Sequence, residues 1–362
     1  MASNVTPVTK DEIDKCFSKT TNLASSGLNS TVLACSDEYF AAASNLLTPG
    51  PPIHKPGYFV HTGAWYDGWE TRRHNPAEYD WALVKLGVGS GIIEGIEIDT
   101  AYFVGNYGEN VVVEGAYLPA ADPEAASSEQ EMISDSYSKW ETVLPIQPCG
   151  PSMRQAWRLL KPTGPPLTHI RVRMYPDGGF SRLRLYGHAL PPSLAATQDQ
   201  SPPIEELSSA LMGGLALSAS NQHFTPISNL LLPGRGKDMG DGWETARSRE
   251  RGHVDWAIVK LGLPGSAVKV VVDTKDFRGN FPRAIRVDSI DWKEDENSEP
   301  PFDHAGWTEL VKGEQACKAD TEHVYEGENL AAGNHITHAK LTMIPDGGVK
   351  RFRIFGHRAT KA

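Results

Sequence analysis

Cysteine is scarce. Cys16, Cys35, Cys149 and Cys317 are the only thiols in 362 residues, and no two form a C-x-x-C pair. That excludes a disulfide framework and a thiolate zinc cluster and fits a reducing compartment. No run approaches the ~18 consecutive apolar residues needed to span a bilayer, so no membrane partner is expected. The N-terminal MASNVTPVTKDEIDKCFSKT has no apolar centre and carries acids, unlike a secretory signal or transit peptide. The terminal ATKA is not a peroxisomal tripeptide. A cytoplasmic location is expected. Basic charge is also short: 35 Lys and Arg against 45 Asp and Glu leave a net charge of −10. Without a basic block, phosphate-backbone binding has no source of affinity, so nucleic acid is excluded as a partner. Nucleophile and phosphate motifs of the G-x-S-x-G and P-loop kinds are missing. His335-x-x-His338 would face opposite sides of a strand, and Pro166 stands where His335 should recur. No metal ligand set is assigned.

Turn formers are plentiful, with 34 Gly and 26 Pro, and the chain repeats itself at long period. Ser44-Asn45-Leu46-Leu47 returns as Ser228-Asn229-Leu230-Leu231, and Asp67-Gly68-Trp69-Glu70-Thr71 as Asp241-Gly242-Trp243-Glu244-Thr245. Asp80-Trp81, Asp99-Thr100 and Gly105-Asn106 return as Asp255-Trp256, Asp273-Thr274 and Gly279-Asn280. His169 to His188 matches His338 to His357 at 10 of 20 positions. The expected organisation is an N-terminal extension (1–30), a first repeat (31–190), a Pro-rich linker (191–206) and a second repeat (207–360). Copy one carries ten extra residues between its SNLL and DGWET blocks and an acidic, Ala/Ser-rich stretch at 119–138. Both are expected to be surface loops. Short β-branched runs bounded by Gly or Asp, and a Pro-Asp-Gly-Gly hairpin turn, predict an all-β fold of two jelly-roll sandwiches.

Charge is patterned along the hairpin. His169, Arg171, Arg173 and Tyr175 share one strand face, as do Arg182, Arg184, Tyr186 and His188. Like charges this close need carboxylate partners or an anionic ligand. The DGWET loop offers carboxylate, indole and guanidinium together, a set suited to a small anion bearing N–H groups. Its rival reading is structural, with Trp69 and Trp243 plugging the sandwich ends. The copies also differ: Asp37-Glu38 becomes Asn221-Gln222, and Arg72-Arg73 becomes Ala246-Arg247. Either the exposed positions drifted, or copy one is the stronger anion site.

The blocks SDEYFAAASNLL, DGWETRRHNPAEYDWALVKLG, RVRMYPDGGFSRLRLYG and their second round, including DGWETARSRERGHVDWAIVKLG and MIPDGGVKRFRIFG, resemble the allantoicase family over roughly 33–188 and 215–357. The resemblance implies two jelly rolls of galactose-binding type, a homo-oligomer, and hydrolysis of allantoate to ureidoglycolate and urea in purine breakdown. Residue roles rest on the chemistry of that substrate. Glu70 and Glu244 are candidate bases, and His169 and His338 candidate proton donors. Asp67, Trp69 and Arg73, with Asp241, Trp243 and Arg247, are candidate substrate-binding residues, joined by Arg182 and Arg184. A divalent cation on Asp37 and Glu38 could act as a Lewis acid, though nothing in the sequence demands one. The rival function is a non-catalytic tandem carbohydrate-binding protein.

Overall fold

The computed structural model describes residues 4–193, 202–293, 298–331 and 335–359, so half of the expected linker, 194–201, lies outside the described residues. The chain divides into two compact units, Met1–Leu190 and Pro191–Ala362. It is all-β, with two tandem jelly-roll sandwiches.

In the first unit two five-stranded antiparallel sheets face each other. One runs in the order Val5–Val8, Arg154–Leu159, Ser90–Asp99, Arg182–Leu190, Thr21–Asn22. The other runs Glu141–Pro148, Asn110–Ala116, His169–Tyr175, Asp80–Lys85, Thr31–Cys35. Period-two alternation sends Ile170, Val172, Met174, Ala82 and Val84 into the core, all completely buried. Residues before 31 belong to this sandwich: Val5–Val8 is an edge strand against Arg154–Leu159, and Ile13, Phe17, Leu23 and Leu28 are buried.

The second unit repeats the plan with one economy. Asp255–Asp273 is a single 19-residue strand doing the work of Asp80–Lys85 and Ser90–Asp99. Its first half pairs with Leu215–Ala219 and His335–Ile344, and its second half with Glu322–Glu326 and Arg351–Arg358. In the first unit the chain passes from one sheet to the other at Gly87, and its counterpart Gly262 lies within the long strand; a Cβ at these positions would lie 1.9 Å from the Leu28 carbonyl oxygen and 2.2 Å from that of Met212. Only glycine permits that backbone approach.

The outer face of the hairpin strand is where the expectation of a surface loop at 119–138 fails. That stretch holds a helix, Ala125–Ile133, laid over the sheet. Met132 is buried against Leu83, Ala116, Leu118 and Tyr137. Glu129 meets Lys85 at 2.5 Å and His169 at 3.2 Å. Arg171 lies between Glu114 (2.7 Å) and Asp135, and Arg173 pairs with Glu114 at 2.8 Å. The charged face is therefore satisfied by carboxylates within the fold. In the second unit Lys340 sits 3.4 Å from Asp288 and beside the rings of Phe302 and Trp307. Among the described residues no helix is long and apolar enough to cross a membrane.

Candidate functional site

The DGWET block is latched to the Pro-Asp-Gly-Gly turn. Trp69–Glu70 pairs with Gly179–Phe180, and Trp243–Glu244 with Gly348–Val349. Both indoles are completely buried, and their Nε1–H groups donate to the carbonyls of Asp37 (2.8 Å) and Asn221 (2.9 Å). Gly178 and Gly347 take φ of 130° and 140°, which brings the turn carbonyls back to accept from the Thr71 amide (2.8 Å) and the Thr245 amide (3.0 Å). This latch fixes the glutamate beside each Trp at the rim of its sandwich.

Several residues read as substrate-binding are instead fixed within the protein. Arg182 has no solvent exposure; its guanidinium donates to the carbonyls of Gly50 (3.0 Å), Asp67 (3.0 Å) and Ser181 (2.7 Å) and to the Asp67 carboxylate (2.7 Å). Asp67 also accepts from the Ile53 amide at 2.8 Å. Arg184 donates to the carbonyls of Pro49 and Gly50 at 3.1 and 3.2 Å. Asp241 is held by buried Lys350 and the Lys237 amide. With the two buried tryptophans, these residues build the loop. The proposed proton donors are misplaced too. His169 opens the strand whose other end, Tyr175, leads into the turn at Asp177. Six residues at about 3.3 Å each put it roughly 20 Å from Tyr175, at the end of the strand away from the turn. His338 sits at the matching register, opposite Lys260 and Ile290. It is buried and pushed down to about 4 by desolvation and the charge of Lys260.

What the fold does bring together is a smaller set, present twice. In the first unit Asn106 Nδ2 donates to Glu70 Oε1 at 2.6 Å, and Arg73 Nη1 donates to the Gly105 carbonyl at 3.4 Å. In the second, Asn280 Nδ2 donates to Glu244 Oε1 and Arg247 Nη2 to the Gly279 carbonyl at 3.1 Å. The turn aspartates close the group: Asp177 accepts from the His74 amide at 2.7 Å and Asp346 from the Ser248 amide at 2.8 Å. Burial pushes the Glu70 carboxyl up, opposed by the Asn106 hydrogen bond and the Arg73 charge. Asn106, Asn280, Asp177 and Asp346 were not singled out from sequence. Their signal was present in the recurring Gly-Asn and Pro-Asp-Gly-Gly blocks, where the turn explanation was sufficient by itself.

The two clusters differ in how much charge they leave free. Arg73 Nε is tied to Asp177 at 2.7 Å, and Arg72 to Asp37 at 3.0 Å. Arg247 has no carboxylate partner among the described residues and faces a 610 Å³ cavity lined also by Glu244, Asn280, His223, Phe224 and Met239. The expectation that copy one is the stronger anion site therefore loses its ground. The Asp37-Glu38 difference is explained as well. Asp37 Oδ2 accepts from the Arg72 amide and Glu38 Oε2 from the Ala43 amide, at 2.5 and 2.9 Å. Asn221 Oδ1 and Gln222 Oε1 accept from the Ala246 and Ile227 amides at 3.1 and 2.9 Å. An amide oxygen performs this loop-capping task as well as a carboxylate. Among the described residues no group of three or more His, Cys, Asp or Glu is arranged to hold a metal ion. Burial pushes the Cys149 thiol up to about 12 and Cys317 up to about 11, and Cys35 rises to about 12 by burial and the charge of Glu38. None of these three is a thiolate near neutral pH.

A family model described as the allantoicase repeat matches residues 21–190 and again 205–359. The allantoicase of Neurospora crassa is 50% identical over 357 residues, covering 98% of this chain and 96% of the relative. The probable allantoicase of Schizosaccharomyces pombe is 44% identical, covering 98% of each chain. A crystal structure of allantoicase from Saccharomyces cerevisiae aligns with a TM-score of 0.81 at 39% identity, covering 98% of this chain and 100% of that one.

Proposed function

The chain belongs to the allantoicase family, and from that membership we propose that the Glu–Asn–Arg cluster beside the Pro-Asp-Gly-Gly turn is where allantoate is held. The enzyme hydrolyses allantoate to ureidoglycolate and urea, a step in the breakdown of purines through allantoin. The observation that carries the site is the 610 Å³ cavity in which a guanidinium with no carboxylate partner among the described residues, Arg247, a carboxylate, Glu244, and an amide, Asn280, converge.

Allantoate has one carbon bearing a carboxylate and two ureido groups. Arg247 would grip the carboxylate through paired N–H donors. Glu244 accepts from a ureido N–H, and Asn280, by donating to Oε1, holds that carboxylate in one orientation. Urea is expelled when one ureido nitrogen loses its proton to Glu244 and its electron pair forms a C=N bond. The opposite C–N bond then breaks, and the departing nitrogen must receive a proton. Water adds across the C=N bond to give ureidoglycolate. A neutral sugar has no carboxylate to pair with Arg247, so the cluster favours an anionic ligand. Cytoplasmic residence and assembly into a homo-oligomer complete the proposed reading.

The test is urea release from allantoate by the purified protein, with and without a chelator, using allantoin as a control. Release from allantoate alone is expected. No urea above the spontaneous rate, with or without added divalent cation, would remove the assignment.

A further inference from the structure

The departing nitrogen needs a proton, and the sequence candidates His169 and His338 lie at the wrong end of their strands. One imidazole does line the cavity with Glu244 and Arg247, and it belongs to His223. Its backbone amide donates to Asn221 Oδ1 at 2.9 Å, and its ring stands edge-on to Phe224 with centroids 4.6 Å apart. Neither ring nitrogen is engaged by another described protein group. An open, unengaged imidazole held by its backbone and by a neighbouring ring can present an N–H to a bound ligand. We infer that His223 is the proton donor to the departing urea nitrogen, and that turnover therefore resides in the second repeat. The inference rests on the allantoate site proposed above.

The first repeat carries Tyr39 at the position of His223. The Arg72 guanidinium lies over the Tyr39 ring, 5.5 Å from its centroid, and Arg72 is itself bound to Asp37 at 3.0 Å. A phenol, at about 10 in model peptides, is a far weaker acid than an imidazolium at about 6.5. Glu70 and Asn106 thus persist in the first repeat without the donor that elimination requires. The proton balance in the second repeat closes on two residues. Glu244 takes the ureido N–H proton while His223 gives one to the nitrogen whose bond to the central carbon breaks. When water adds, its oxygen bonds to that carbon, its proton restores His223, and the imine nitrogen recovers the proton from Glu244.

The experiment uses the full-length enzyme and three sets of variants, each checked by thermal melting. His223→Ala is expected to lower kcat at least ~100-fold, the low end for loss of a positioned acid, with KM within about threefold of wild type. Added imidazole should restore part of that kcat, because the cavity is open to solvent. His223→Phe fills the space and should not be rescued. A His223→Ala rate within about threefold of wild type, or a loss that imidazole cannot restore, overturns the donor assignment. The third set separates this failure from failure of the site itself. If Glu244→Gln and Arg247→Ala keep wild-type rates, the cavity is not the site and both readings fall. If they are inactive while His223→Ala is not, only the donor role falls.

Discussion

Arg182 and Arg247 are the same residue type in opposite situations. Arg182 is completely buried and its guanidinium is committed to carbonyls and to Asp67. Arg247 donates to one carbonyl and faces a cavity. Removing a buried, fully bonded cation strands its partners, so Arg182→Ala should cost about 3–5 kcal/mol of stability, read from urea denaturation midpoints. Arg247→Ala should leave stability within about 0.5 kcal/mol and raise KM at least ~10-fold, since charge-assisted hydrogen bonds contribute about 1.5–3 kcal/mol. Glu244→Gln should lower kcat by roughly 10²-fold, whereas Glu70→Gln should cost far less. Equal losses in the two glutamate variants would return the first repeat to the mechanism. Sequence pattern placed Glu70, Glu244, Arg73 and Arg247 in one recurring loop, which the structure latches to the Pro-Asp-Gly-Gly turn. It could not separate them from Asp67, Trp69 and Arg182, because a residue that builds a loop and one that the loop presents recur equally well after duplication.

At the scale of elements, the strands were legible because their alternation is strong, and the helix Ala125–Ile133 was not. AASSEQEMI has few apolar residues, and its helical form depends on Met132 packing under tertiary contacts and on Glu129 meeting Lys85 and His169. Those partners lie some forty residues away on either side, beyond the reach of local pattern. The second repeat lacks this insertion, and there His338 stays neutral, pushed down to about 4 by burial and by Lys260. The sign of its effect on stability follows from which state takes up a proton first. Below about 6.5 the unfolded chain protonates this histidine while the folded one does not, so stability falls as pH drops from 6.5 toward about 4. The full effect is about 3 kcal/mol for a shift of this size. Denaturation at pH 7 and pH 4.5 should show His338→Gln losing less stability between the two than the wild type. Identical slopes would mean the imidazole is charged in the fold.

At the scale of the molecule, duplication explains why one chain carries two similar clusters and why only one need be complete. A second copy relaxes the demand that each retain every group. The first has closed its cations on Asp177 and Asp37, while among the described residues the second keeps Arg247 free of a carboxylate partner, in the cavity that His223 also lines. Every group assigned to turnover, namely Glu244, Asn280, Arg247 and His223, comes from Pro191–Ala362, and that unit has its own buried core. A chain of residues 191–362 should therefore fold cooperatively and release urea from allantoate. Residues 1–190 should fold, since they form a complete pair of five-stranded sheets, but show no turnover. The check is a thermal melt and a urea assay on each piece beside the intact enzyme. A well-folded but inactive 191–362 would show that a group from outside those residues completes the site. Turnover by 1–190 would show that a tyrosine at position 39 does not prevent elimination, and that the source of the proton must be sought among groups common to both repeats.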